Sequence, residues 1–81
     1  MKVIKRNGSK VDFDPSKIEL AILKAMRYGS GVVDEKCAKD ISFEIHEEHQ
    51  GDEDISIYRI EDQVFEKLIQ KDQILTAKAY E

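Results

Sequence analysis

Eighty-one residues allow one small domain, and a chain of this size buries only about 60% of the surface its unfolded form exposes. With 41% apolar and 37% charged residues, it has the material for a core and is not the composition of a disordered tail. A single cysteine, Cys37, excludes an internal disulfide, and no apolar run approaches the ~18 residues of a membrane span. The lone thiol and the absence of a hydrophobic signal core in Met1–Gly8 point to the cytoplasm.

The net charge of −4 is unevenly spread. Met1–Arg27 carries seven basic and three acidic residues, and Asp34–Asp62 three basic and eleven acidic ones. The first stretch can receive an anion, whereas the second would repel one, which argues against direct nucleic-acid binding.

Lys2–Arg6 and Lys10–Phe13 are predicted as two short strands, joined at Asn7-Gly8, where both residues tolerate positive φ. Asp14-Pro15 predicts a helix start, the aspartate as cap and the proline at the first helical position. That helix runs to about Arg27, with Ile18, Ala21, Ile22, Ala25 and Met26 as its apolar stripe, widened by Leu20 and Leu23. Gly29-Ser30-Gly31 ends it. A second helix starts from Asp34 as cap, with Ala38, Ile41 and Ile45 on one face, Cys37 alongside as a core residue, and Phe43 on the reverse side. Apart from Ile45, Glu44–His49 is polar, and Gln50–Asp54 forms an acidic loop. Ser56 caps a third helix that buries Ile57, Ile60, Val64, Phe65 and Leu68, and Ile55 just before it can add a third strand. Asp72 is expected to cap a fourth helix carrying Ile74, Leu75 and Ala79. The predicted fold is α+β and mostly α: a short N-terminal hairpin, extendable to a three-stranded cap, on a four-helix bundle. Residues 1–81 make one domain. Lys78-Ala79-Tyr80-Glu81 stops inside a helical pattern without a cap or breaker, which suggests a fragment of a longer protein.

Lys5, Arg6 and Lys17 are the basic residues that a hairpin folded over the first helix start would gather. The helix N-terminus adds free amides and a partial positive charge. A polyphosphate suits such a cluster, with Arg6 binding oxygens in a fork and the lysines acting as point charges. Val3, Phe13 and Ile18 can form an apolar slot for a base. On composition alone, the same basic residues also fit a solvated surface.

Val3-Ile4-Lys5-Arg6-Asn7-Gly8, followed by Phe13-Asp14 and Lys17-Ile18, resembles the opening signature of the ATP-cone family: V-x-K-R-[DN]-G, a gap, an aromatic or aliphatic residue, [DN], then K-I. Ile60-Glu61-Asp62-Gln63-Val64 resembles the family's I-Q-D-x-V-E segment, and Ala77-Lys78-Ala79-Tyr80 its V-A-K-A-Y ending. The three matches occur in order across nearly the whole chain. The resemblance implies a regulatory domain without catalytic residues that binds ATP or dATP, with Mg accompanying the nucleotide. It implies phosphate contacts from Lys5, Arg6 and Lys17, a base site of Val3, Phe13, Ile18 and Ile60, adenine-edge recognition near Asp14, and a further phosphate contact from Lys78. It also implies control of the overall activity of a ribonucleotide reductase. The partners would be that enzyme's catalytic domain or subunits, with nucleotide-dependent oligomers. The early start of the motif and the Lys78–Glu81 ending are closest to the anaerobic ribonucleoside-triphosphate reductases. The alternatives are the nucleotide-responsive half of a transcriptional repressor, against which the absence of a preceding four-cysteine ribbon counts, and a helical interaction module without a ligand.

Three features depart from the pattern or stand beside it. The resemblance also places Glu61 among the nucleotide-binding positions, but the family usually has glutamine or, in some members, histidine there, and a carboxylate facing inward would repel phosphate. Ile57 stands where some members carry a hydroxyl. His46 and His49, three apart with glutamates around them, have the spacing to share a metal, but a structural zinc site needs four ligands. They are read as a solvated helix end.

Overall fold

A computed structural model describes residues 1–51 and 53–80. Asp52, in the predicted acidic loop, and Glu81, in the terminal segment, lie outside the described residues. The elements are β1 (Lys2–Ile4), β2 (Lys10–Asp12), α1 (Pro15–Tyr28), α2 (Glu35–Glu48), β3 (Ile55–Ser56), α3 (Ile57–Gln70) and α4 (Ile74–Tyr80). The fold is the predicted one, mostly helical with a small sheet as its cap. Among the described residues, no helix is long and apolar enough to cross a membrane.

β1 is the central strand. It pairs antiparallel with β2, Val3 opposite Val11, and parallel with β3, Val3 opposite Ile55. The third strand anticipated at Ile55 is therefore present. The strands are shorter than predicted, and Lys5 and Arg6 belong to the connection. The Gly8 amide donates to the Lys5 carbonyl (2.9 Å) and the Lys5 amide to the Ser9 carbonyl (2.8 Å), the pattern of a three-residue loop closed by a bulge. Only Gly8 uses positive φ, at 88°. Asn7 is held by its side chain instead, its Oδ1 accepting from the Ser9 amide (3.0 Å) and hydroxyl (2.7 Å).

Asp14 caps α1 as expected. Its Oδ1 accepts from the Ser16 amide (3.0 Å) and hydroxyl (2.7 Å), which holds its carboxyl below the usual carboxylate range. Ile18, Ile22, Ala25 and Met26 are buried, but Ala21 and Leu20 are exposed. At 3.6 residues per turn, Leu20 lies about 200° round the helix from Ile18, opposite the stripe. After α1, Gly31 takes φ 77° and donates to the Met26 carbonyl at 2.8 Å. Gly29 passes very close to α4: a Cβ there would lie 2.5 Å from the Leu75 carbonyl oxygen.

Asp34 caps α2 by accepting from the Cys37 amide at 3.0 Å. Ala38, Ile41, Ser42 and Ile45 are buried, Cys37 packs half-buried against the core, and Phe43 is exposed. The end of α2 is not the solvated segment expected. His49 is buried, with its Nε2 2.7 Å from Gln63 Oε1. His46 is stacked on Phe13 with ring centroids 5.4 Å apart. Lys67 of α3 and Lys71 at its C-terminal cap reach across to α2, with Lys67 2.6 Å from Glu48 and Lys71 3.2 Å from Glu44.

Ser56 caps α3 by accepting from the Tyr58 amide at 3.2 Å. Ile60, Val64 and Leu68 are buried, and Ile57 and Phe65 pack partly against them. Asp72 does not cap α4. It ends α3 at φ 63°, its amide donating to the Ile69 carbonyl (3.0 Å) while that of Gln73 donates to Leu68 (2.8 Å), the paired bonds of a Schellman ending. Gln73 then opens α4, its carbonyl accepting from the Ala77 amide at 2.9 Å. α4 buries Thr76 and Ala77, while Ile74, Leu75 and Ala79 point outward. α1 packs on α2 and α4, and α3 on α2 and α4. The cap closes one end of this bundle through Val3 and Ile55, which join the core of Ile18, Ile22, Ile41, Ile45, Ile60 and Val64.

Candidate functional site

A cavity of about 510 Å³ lies beneath the hairpin, bounded by β1, β2, their connecting turn and the first turns of α1 and α3. Small-molecule sites fall at roughly 300–1,000 Å³. Its apolar walls are Val3, Val11, Phe13, Ile18, Ile57 and Ile60. Strand pairing sets Val3 against Val11, and the cap of α1 places Ile18 one turn into the helix. Ile60 and Ile57 come from the corresponding turn of α3. Phe13 is braced from behind by the His46 ring, inclined 23° to it. The polar edge is formed by Lys5, Arg6 and Asn7 of the turn, Asp12 and Asp14, and Lys17 of α1.

Lys5 and Lys17 form no ion pair with any described residue. Asp12 is engaged by Lys2, whose ammonium holds its carboxyl below the usual range. Asp14 is occupied as the helix cap. The free amides expected at the start of α1 are not there: Pro15 has none, Ser16 donates to Asp14 Oδ1, and Lys17 donates to the Asp14 carbonyl at 3.1 Å. What α1 contributes is its positive dipole end and the Lys17 ammonium. Arg6 is both exposed and engaged. Its Nη2 lies 2.6 Å from Glu61 Oε2, and its guanidinium carbon stands 5.8 Å from the centre of the Tyr58 ring.

The fold brings Val3, Lys5, Arg6, Phe13, Asp14, Lys17, Ile18 and Ile60 together around this one cavity. Glu61 lies behind Arg6, in a separate groove between α1, α3 and α4 that also contains Lys24, Tyr28 and Tyr80. Burial and the Glu61 charge push the Tyr80 hydroxyl up to about 12, with Arg6 opposing the shift. Lys78 is exposed on α4 and does not line the cavity. Asn7, Val11, Asp12 and Ile57 complete the lining without having been singled out as site residues. Val11 was legible as the strand partner of Val3 and Asn7 stands inside the opening motif, while Asp12 carries no signal beyond adjacency to it.

This apolar pocket with a cationic mouth is assembled from the N-terminal hairpin, the start of α1 and the start of α3, and most of its lining residues belong to the opening motif. The family model of the ATP cone domain matches residues 1–81, the whole chain. The chain belongs to the ATP-cone family. ATP-cones are regulatory rather than catalytic domains, and they bind ATP or dATP as allosteric ligands. No individual curated protein matches this ATP-cone.

Proposed function

We propose that the cavity beneath the hairpin is the nucleotide site of this ATP-cone, and that the domain reports adenine-nucleotide levels to a ribonucleotide reductase. The observation that carries the site is the gathering of Lys5, Arg6 and Lys17 at the mouth of a pocket walled by Val3, Phe13, Ile18 and Ile60. The apolar walls suit the faces of a purine, with Phe13 held in place by His46. Backbone groups near Asp14 read the adenine edge. Lys5 and Lys17 supply unpaired positive charge for the phosphates, and Arg6 the forked donors. Mg accompanies the triphosphate and relieves part of its charge. Lys78, outside the cavity, takes no direct part.

The reductase assignment rests on the family resemblance, and its anaerobic class on the likeness of Lys78-Ala79-Tyr80-Glu81 to the ending of the anaerobic ribonucleoside-triphosphate reductases. A ligand that binds only the folded domain stabilises it by mass action, by about 2.7 kcal/mol at 100-fold excess over Kd. The nucleotide alters docking on catalytic subunits or on other copies of the domain to the extent that it binds the docked and free forms with different affinity.

Calorimetric titration of ATP, ADP and adenosine into the chain and two variants tests the site. Arg6→Ala should weaken ATP more than adenosine, by about one to two decades, since it removes a charge-assisted contact worth roughly 1.5–3 kcal/mol. Phe13→Ala should weaken all three ligands alike by removing a wall of the base site. Equal losses for every ligand in Arg6→Ala, or no binding by the wild type, would reject this placement.

A further inference from the structure

The Arg6–Glu61 ion pair crosses from the hairpin turn to α3. Glu61 does not line the cavity, whereas Arg6 does. The guanidinium therefore stands between the Glu61 carboxylate and the place the nucleotide reading gives to the phosphates. Other groups near Glu61 leave its charge largely to Arg6. Lys24 shares its groove without an ion pair to it, and Tyr80 remains neutral, its hydroxyl pushed up to about 12. The pair is partly exposed, with the Glu61 side chain at 32% and that of Arg6 at 67%. A pair of this exposure is weak enough for a stronger anion to displace or share it.

Resting on the nucleotide reading above, we infer that Glu61 is an internal counter-anion for Arg6, which a polyphosphate must displace or share, and that it grades the site's affinity by phosphate charge. Glu61 is a specificity-setting residue that acts through Arg6 without touching the ligand. It lowers affinity most for the most highly charged ligand and leaves the base site alone. It also keeps Arg6 neutralised over Tyr58 when no ligand is bound, so that the cavity mouth does not carry Lys5, Arg6 and Lys17 as three uncompensated cations. A glutamine in its place has the same shape and lacks the charge.

The test is calorimetric titration of ATP, ADP, AMP and adenosine into the wild type, Glu61→Gln, Arg6→Ala and the double variant, each first shown by circular dichroism to be folded. Glu61→Gln should bind ATP about three- to tenfold more tightly, ADP and AMP progressively less so, and adenosine unchanged. The ATP gain should shrink at 1 M salt, where the screening length is about 3 Å, and it should vanish in the Arg6→Ala background. Glu61→Asp keeps the charge and should retain wild-type ordering of the four ligands, which separates charge from shape. Unchanged or weaker ATP binding in Glu61→Gln overturns the inference and makes Glu61 a tether for Arg6, as does a gain that persists without Arg6. If the wild type binds none of the four ligands, the nucleotide reading itself fails. If it binds them and Glu61→Gln has no graded effect, only the counter-anion role fails.

Discussion

Gly29→Ala should cost this domain a large share of its stability. A Cβ built on Gly29 lies 2.5 Å from the Leu75 carbonyl oxygen, 2.9 Å from its carbon and 3.0 Å from the Ala25 carbonyl oxygen. All three are backbone atoms, so no side chain can rotate away. Reaching ordinary contact at 3.4 Å requires a shift of about 0.9 Å between the end of α1 and the start of α4. A gap of that size forfeits roughly a quarter to a half of each affected dispersion contact, and overpacking of this kind costs about 1–3 kcal/mol. At roughly 0.05–0.15 kcal/mol per residue the domain has only about 4–12 kcal/mol in all. A loss near 2 kcal/mol should lower Tm by about 8–16 °C in thermal unfolding followed by circular dichroism. Gly31→Ala is the comparison, since its Cβ meets nothing within 4 Å and only φ 77° opposes it; it should cost about 1–2 kcal/mol. A Gly29→Ala variant that melts within ~2 °C of the wild type would refute the close approach of α1 to α4.

Two further outcomes follow from the ends of α3 and α4. Asp72→Gly should stabilise the chain by about 0.5–1 kcal/mol, because Asp72 holds φ 63° at the Schellman position, where glycine pays no Cβ penalty; chemical denaturation at constant m-value checks this. Tyr80 has its hydroxyl pushed up to about 12 by burial, from the ordinary tyrosine value of 10.0. A folded-state pKa above the unfolded one favours the neutral form, so its contribution to stability is full below about pH 10 and is lost as pH rises toward 12. An ultraviolet titration should show one tyrosine ionising near that upper value, and Tyr80→Phe should remove the step.

The bundle and its capping signals were legible because they are local. Asp14, Asp34 and Ser56 each satisfy a backbone amide two or three residues on, a bond that depends on sequence alone. The loop at Asn7 was misjudged because two hairpin geometries fit Asn-Gly, and the Asn7 side chain, by binding Ser9, selects the three-residue one. α4 was read on the wrong face because seven residues show too little periodicity, and its orientation is set by α1 at Gly29. The polar residues of Glu44–His49 concealed the burial of His49 and the half-burial of His46, since their partners, Gln63 and Phe13, come from distant elements. The pocket's basic and apolar residues were found from the motif, but the engagement of Arg6 by Glu61 depends on a contact across 55 residues of sequence.

The parallel pairing of Val3 with Ile55 also has a consequence in time. During synthesis the whole opening motif leaves the ribosome well before its partners on β3 and α3. Until Ile55, Ile57 and Ile60 have followed, the central strand lacks one neighbour and the cavity lacks one wall. Closing that long loop comes late, after the local helices can form. A ligand for this cavity therefore recognises only chains completed at least through the first turn of α3, and its binding can serve as a folding probe for each truncation product.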